Sequence, residues 1–399
     1  MWVAMGSIIT LRLGRLEVDW GKNNVFTNHS PLFCRTDLAD ADYFYADDVV
    51  ERRPAYVRKL RSVIPRLELL GFSLEGCRQA YENEVRRIPD FHPKMTVGFE
   101  VFRETLRAVN LDQINSAEYD GDFDLGEFAR TVLQDPAFQA IMPWNLTADD
   151  GTFFENLDAY VVLRLLGENP ANLDRDLVWS IDDVVEGGWV EGNIFTPIAD
   201  GSRFLIVTEG SSDSAILKAA LPIVAPDVHD FFDFVDMREN YPFTGTGNLV
   251  NFCKGLVAIK VQNKIVVVLD NDTAGCAALQ KLRRLQMPPN IRLVRLPDLE
   301  AFRTFITHGP SGRLSEDVNG RAVAIECFLD LDFGPREERA VRWTSFNYEV
   351  GAYQGELLAK EEYTKHFFAQ LCNNVYDLSK LRLLWSHILN ACATDAVPS

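Results

Sequence analysis

Short apolar segments alternate with amphipathic segments between residues 201 and 300, which predicts a parallel β-sheet flanked by helices. Strands are predicted at residues 204–208, 231–237, 264–270 and 291–296. Helices are predicted between and after them, at residues 211–221, about 249–261 and 273–286. FLIVT is a short continuous apolar run, as is typical of strands buried on both faces of a parallel sheet, and KIVVVLD is the strongest strand signal in the chain. Strands that alternate with helices in this way form right-handed βαβ crossovers.

The first 200 residues show a different pattern, which predicts a mainly helical α+β domain with a small sheet. Residues 7–20 alternate between apolar and polar positions and predict one or two short strands. Helices are predicted at residues 52–90, 98–108, 126–140, 153–167 and 179–190. Residues 332–399 are predicted to form a small helical C-terminal region, with helix from Tyr363 onward. The predicted domains are therefore 1–200, 201–331 and 332–399.

Composition, hydropathy and cysteine content restrict the class of protein and its expected location. The chain has 399 residues, of which 47% are hydrophobic and 25% charged, as expected for a globular protein of two or three domains. No apolar run approaches the ~20 residues that cross a membrane, and no signal peptide is visible, so a cytoplasmic location is expected. The seven cysteines are scattered and include no CxxC pair, which argues against a zinc ribbon or a disulfide framework.

The net charge of -18 argues against a protein that grips long duplex DNA by itself, because phosphate contacts require local positive charge. Residues 281–303 hold the densest group of cations: Lys281, Arg283, Arg284, Arg292, Arg295 and Arg303. Any basic surface is expected to involve this segment. An ordinary solvated helix face explains the same residues equally well.

Two acidic motifs follow two of the predicted strands. TEGSSD places Glu209 at the end of its strand, Gly210 at a tight turn and Asp213 one helical turn further on. LDND places Asp270 and Asp272 directly after the run IVVVL. Because ligands of such sheets bind beyond the carboxyl ends of the strands, these carboxylates are expected to converge.

Converging carboxylates point to a hard cation. Like charges at one site raise one another's pKa values, and a cation such as Mg²⁺, which prefers oxygen ligands, removes the conflict. The same cation stabilises charge that develops on a phosphoryl oxygen. Taken alone, each motif is better explained without a metal, Glu209 as a helix-capping carboxylate and LDND as a plain turn. Both motifs together, in this order, favour a metal site.

The order E-G-x-x-D and then D-x-D-x-x-G resembles the Toprim domain of topoisomerases, bacterial primases, small ribonucleases and OLD-family nucleases. The chain supplies Glu209, Gly210, Asp213, Asp270, Asp272 and Gly275. The resemblance covers about residues 203–331 and implies an α/β Toprim fold with a parallel, Rossmann-like sheet. The glycine turn at 245–247 falls where the family has a loop beside the metal site. No tyrosine-bearing strand-passage domain or zinc-binding module accompanies it, so a topoisomerase and a primase are disfavoured.

The Toprim resemblance also implies roles for individual residues. Asp270 and Asp272 would hold Mg²⁺, for which Mn²⁺ can substitute. Glu209 would be a metal ligand or the general acid–base, and Asp213 would add a ligand or orient one. OLD-like nucleases use a further acidic residue for a second metal, and Glu326, in an apolar stretch predicted to be helical, is the candidate here. A structural salt bridge is the alternative for Glu326.

A longer resemblance, to HEPN/Toprim-associated proteins, extends over most of the chain. It is carried by residues 5–23, 43–48, 66–74, 319–326 and 342–360. These bacterial proteins are regarded as nucleases or effectors in conflict with phages. The expected function is therefore metal-dependent hydrolysis or nicking of DNA in antiviral defence. The alternatives are a ribonuclease that cleaves tRNA or other RNA, and a regulatory or scaffold subunit without turnover. Besides nucleic acid, the expected partners are a second copy of the chain, in a homodimer, and a separate sensor or ATPase subunit.

Overall fold

The computed structural model describes ten stretches of the chain: residues 10–14, 16–19, 27–44, 50–87, 97–112, 156–188, 193–235, 245–333, 339–371 and 376–393. The chain divides into two units, Met1–Ile198 and Ala199–Ser399. The helix predicted at residues 126–140 lies outside the described residues. Among the residues described, no helix is both long enough and apolar enough to span a bilayer.

An antiparallel sheet of order β2-β1-β5-β4-β3 forms the centre of the N-terminal unit. Its strands are β1 (Thr10–Leu13), β2 (Leu16–Asp19), β3 (Leu38–Phe44), β4 (Val50–Lys59) and β5 (Asp176–Ser180). The helices are α1 (Leu60–Leu69), α2 (Leu74–Arg87), α3 (Phe99–Ala108), α4 (Ala159–Leu166) and α5 (Asp182–Glu186). Trp179 on β5 is fully buried in the core between them. The strands predicted at residues 7–20 are confirmed as the β1–β2 hairpin.

Two of the predicted helices of this unit begin with strand instead. Residues 50–59 form β4, which pairs with β3 on one side and β5 on the other, and helix begins only at Leu60. Residues 179 and 180 end β5, before the short helix α5. Arginine and lysine in β4 favour helix weakly, and pairing on both edges of the strand outweighs that preference.

A parallel sheet of order β10-β8-β6-β7 forms the first part of the C-terminal unit. Its strands are β6 (Phe204–Val207), β7 (Phe232–Phe234), β8 (Lys264–Leu269) and β10 (Ile291–Arg295). The helices are α6 (Ser211–Val224), α7 (Thr246–Ala258) and α8 (Thr273–Arg283). The predicted α/β alternation with a parallel sheet is thus confirmed. The prediction that helix α6 ends at Leu221 is wrong, because the helix runs through Pro222 to Val224 although proline donates no intrahelical hydrogen bond.

A second, mixed sheet follows, of order β12-β11-β14-β15. Its strands are β11 (Phe305–Gly309), β12 (Gly312–Glu316), β14 (Val341–Asn347) and β15 (Ala352–Leu357). A small pairing joins β9 (Asn271–Asp272) to β13 (Ala322–Val323). The chain then forms α9 (Lys360–Gln370) and α10 (Ser379–Ala393). The region 332–399, predicted to be helical, therefore contributes the β14–β15 hairpin before its two helices.

Candidate functional site

The two acidic motifs lie at the same edge of the parallel sheet. Strands β6 and β8 are parallel neighbours, with Val207 opposite Val267. Glu209 follows the end of β6, and Asp270 directly follows the end of β8. Asp272 is the N-cap residue of α8, and Asp213 lies in the first turn of α6. The side chains predicted from strand ends are thus carried by adjacent strands and by the helices that leave them.

The Glu209 carboxylate is held by the glycine turn before α7. Thr246 Oγ1 donates to Glu209 Oε2 at 2.8 Å, and the backbone N–H of Asp270 approaches Oε1 at 3.4 Å. Gly245, with φ of 91°, adopts the left-handed conformation that brings Thr246 to this position. Thr246 is not among the predicted site residues. The signal for it is the glycine turn itself, which the sequence places beside the site.

Asp272 is engaged through both carboxylate oxygens. Oδ1 accepts from the backbone N–H of Gly275 at 2.7 Å, which is a helix N-cap contact, and Oδ2 accepts from Gln354 Nε2. Gln354 Oε1 in turn accepts from the N–H of Ala274 at 3.0 Å. Gln354 lies on β15, 82 residues further along the chain, so no local pattern could identify it.

Asn271, between the two aspartates, anchors the segment through its side-chain amide. It is fully buried, its Nδ2 donates to Asp298 at 2.7 Å, and its Oδ1 accepts from the N–H of Gly320 at 2.9 Å. A residue with both a donor and an acceptor fits this position, because a buried amide needs partners for both. The D-x-D segment is thereby fixed on both sides by protein hydrogen bonds.

The glycine of the D-x-D-x-x-G motif has a steric reason. A Cβ atom on Gly275 would lie 2.2 Å from the carbonyl oxygen of Asp270, far inside van der Waals contact. The first turn of α8 can therefore fold back on the end of β8 only with glycine at this position.

Asp213 and Glu326 complete the acidic group. Asp213 accepts from the backbone N–H of Gly210 at 3.0 Å and from Ser212 Oγ at 3.2 Å. Glu326 is only 6% exposed and lies on the 3-10 turn Ile325–Phe328 rather than on a longer helix. No Lys or Arg among the described residues pairs with Glu326, so the salt-bridge alternative has no partner there.

The carboxylates lie within one another's electrostatic field. Burial, followed by the charges of Asp213, Glu209, Asp272 and Glu326, raises the pKa of Asp270 well above its usual range. Burial and then the charge of Glu326 raise the pKa of Asp213 to about 7. Burial also raises the pKa values of Glu209 and Asp272, against the hydrogen bonds from Thr246 and Gly275. A protein keeps such an unfavourable group when a cation or a proton compensates for it.

The donor set matches a hard divalent cation in its chemistry, because all five side chains offer carboxylate oxygens and none offers sulfur or imidazole. The positions of these side chains match a metal site less well than their chemistry does. Within the described part of the chain, no three Asp, Glu, His or Cys side chains are placed to bind one ion together. Glu209 and Asp272 instead face protein donors. A carboxylate oxygen has two lone pairs, so these hydrogen bonds leave each group able to bind an ion and would hold its orientation.

Comparisons with known proteins bear on the N-terminal half of the chain. Residues 5–203 match the family described as HEPN/Toprim N-terminal domain 1. No curated protein and no solved structure matches the chain significantly. The matched region corresponds closely to the unit Met1–Ile198 and leaves the acidic site in the other unit. The match supports a HEPN/Toprim-associated protein.

Proposed function

We propose that this protein is a metal-dependent nuclease that hydrolyses phosphodiester bonds of DNA at the carboxylate group of the C-terminal unit. The observation that carries the proposal is a set of four carboxylates at one edge of a parallel sheet, with the buried Glu326 close enough to act on two of them. The N-terminal HEPN/Toprim domain adds support, since that name belongs to nuclease-associated proteins. Mg²⁺ is the proposed cofactor, with Mn²⁺ as a substitute.

Each acidic residue has a proposed part. Asp270, Asp272, Asp213 and Glu326 would supply oxygen ligands. A bound Mg²⁺ would act as a Lewis acid towards a phosphoryl oxygen. Glu209, whose pKa is raised by burial, is suited to accept a proton from the attacking water. Thr246 would keep the Glu209 carboxylate oriented while it does so. We propose on this basis that these residues form a Toprim-type site.

The wider setting is also a proposal. We place the protein in bacterial antiviral defence, as a cytoplasmic nuclease that acts as a homodimer, since cutting both strands of a duplex requires two sites. With a net charge of -18, the chain has little general attraction for DNA, which favours a separate sensor or ATPase subunit that delivers the substrate.

Incubation of the purified protein with plasmid DNA and, separately, with total tRNA tests the proposed activity. We expect the plasmid to be nicked or cut in Mg²⁺ and Mn²⁺ and to stay intact in EDTA. The Asp272→Asn variant should be inactive, while Asp332→Asn, at a residue whose side chain is 80% exposed, should keep full activity. Cleavage of tRNA alone would contradict the DNA substrate. Intact plasmid and tRNA in a sample that binds Mg²⁺ would contradict the nuclease and favour a scaffold role.

Replacing Thr246 with valine is expected to lower the cleavage rate by about 10–100-fold, the usual effect of removing a hydrogen bond that orients a metal-site residue. Valine has nearly the shape of threonine but cannot donate to Glu209 Oε2. Thr246→Ser keeps the hydroxyl and should retain most of the activity. Equal rates for the valine and serine variants would show that the hydroxyl does not position Glu209.

A further inference from the structure

A groove in the C-terminal unit has a chemical character different from that of the acidic site. It has a volume of about 590 Å³, within the range of small-molecule sites, and lies between α8, the end of β10 and α10. None of the five carboxylates that form the candidate metal site lines it. Grooves beyond the carboxyl ends of parallel strands are common ligand positions in α/β proteins.

The charged side chains that line the groove are two arginines and one aspartate. Arg283 of α8, Arg295 of β10 and His387 of α10 face the groove from its three sides, against one acidic residue, Asp298. Arg295 donates to Asp298 at 3.2 Å and contacts Cys276 Sγ at 3.3 Å. Arg283 is exposed and has no ion pair with any described residue. Arg283 is therefore the arginine of the groove lining that is without an ion pair among the described residues.

Three other cations of the basic segment, Lys281, Arg292 and Arg303, are engaged outside the groove. Lys281 pairs with Glu349 at 2.7 Å, Arg303 pairs with Glu300 at 2.8 Å, and Arg292 donates to the carbonyl oxygen of Ala391. The segment 281–303 therefore does not offer all its cations to one partner. Its arginines at the groove are the ones positioned around a concave surface.

The remaining walls are apolar. Leu279, Leu293, Val294, Leu296 and Pro297 line the groove beside the cations. An apolar wall next to a guanidinium group suits a molecule that combines a flat ring system with a phosphate. Arginine binds phosphate oxygens through charge-assisted hydrogen bonds, which are stronger than neutral ones.

We infer that this groove binds a phosphorylated small molecule of the nucleotide class, with its phosphate at Arg283 and Arg295 and its base along the apolar wall. Binding requires no metal ion and none of the acidic site residues. The inference thus stands independently of the proposed nuclease activity.

Calorimetric titration of the full chain with AMP, ADP and inorganic phosphate, all in EDTA, tests the inference. We expect AMP or ADP to bind at least tenfold more tightly than inorganic phosphate, because only the nucleotides contact the apolar wall. Arg283→Gln should weaken nucleotide binding by about tenfold, the effect of losing one charge-assisted hydrogen bond. Arg284→Gln is the matched control, since Arg284 is also exposed, is next in sequence and does not line the groove. It should bind as the unaltered protein does.

Cys276 provides a second, independent measurement. Its half-buried thiol lines the groove, whereas Cys34 is half-buried in the N-terminal unit. Saturating nucleotide should slow the alkylation of Cys276 several-fold and leave the alkylation rate of Cys34 unchanged. Peptide mass spectrometry measures both rates. Absence of nucleotide binding up to millimolar concentration would overturn the inference. So would equal binding by the Arg283→Gln and Arg284→Gln variants, equal affinity for phosphate and AMP, or unprotected Cys276 at saturation.

Discussion

Replacing Asp270 with asparagine is expected to stabilise the C-terminal unit in EDTA and to reduce metal-dependent cleavage by at least about 100-fold. The loss of a residue that only supports a metal site can already lower activity by up to that factor. Four other carboxylates act on Asp270, so the neutral amide removes repulsion from each. The melting temperature should rise by about 2–4 °C for every kcal/mol of repulsion that is removed. Calorimetry of the unaltered protein and the variant in EDTA measures the change.

The stability difference should depend on pH. The folded-state pKa of Asp270 is raised, so the folded protein holds a proton that the unfolded chain, with an aspartate pKa near 3.9, has already lost. Stability of the unaltered protein should therefore fall as the pH rises from about 4 towards the raised pKa. Asp213, with its pKa raised to about 7, contributes over the same window. The advantage of Asp270→Asn should be absent near pH 4 and grow towards pH 8.

In Mg²⁺ the unaltered protein should be more stable than Asp270→Asn, the reverse of the order expected in EDTA. Bound cation compensates for the repulsion, so the unaltered protein should gain more from Mg²⁺ than Asp270→Asn does. The control is Asp332→Asn, the same chemical change at an exposed side chain, which should alter neither the melting temperature in EDTA nor the response to Mg²⁺. An Asp270→Asn protein that melts below the unaltered protein in EDTA at pH 8 would contradict mutual repulsion at this site.

Replacing Gly275 with alanine is expected to destabilise the C-terminal unit by about 1–3 kcal/mol or more, the cost of forcing an extra group into a packed interior. The new Cβ would lie 2.2 Å from the Asp270 carbonyl oxygen, which belongs to the backbone and cannot rotate away. Helix α8 or the end of β8 must shift instead, and Asp272 at the start of the helix would move with it. Denaturant unfolding and the cleavage assay measure the two consequences.

Gly255 is the matched control, because it also lies in a helix, α7, but is exposed and has open space where the methyl group of alanine would be added. Gly255→Ala should stabilise the protein by about 0.5–1 kcal/mol through the higher helix propensity of alanine. If Gly275→Ala proved as stable as Gly255→Ala, the close approach of α8 to β8 would not hold in solution.

The N-terminal unit shows which elements a local sequence pattern predicts correctly and which it does not. Strands β1 and β2 pair as predicted, and alternate positions of β2, Leu16 and Val18, are buried, although three consecutive residues of β1 are buried as well. Local pattern predicts helix from residue 52, yet residues 50–59 form β4 between two other strands. Strand pairing joins residues far apart in sequence, such as Tyr56 and Trp179, and a helix prediction from composition cannot include that contribution.

The acidic site likewise has features that the local sequence predicts and features that it does not. The strand ends and the motif spacing place Glu209, Asp213, Asp270 and Asp272 at one edge of the sheet, as the structure finds. The partners that orient two of these carboxylates, Thr246 and Gln354, come from other elements, and the motifs do not predict them. Cation binding by these carboxylates stays the central prediction of the proposed function.

The sequence by itself determined the α/β alternation, the positions of the acidic residues and the need for glycine after them. These features depend on periodicity and on chain geometry over a few residues, which a sequence records directly. Only the tertiary structure decided that Gln354 holds Asp272, that Glu326 is buried near Asp213, and that three separate elements form a groove lined by two arginines. Those contacts depend on how distant segments pack, and burial, which sets the pKa values of the site, exists only once they have packed.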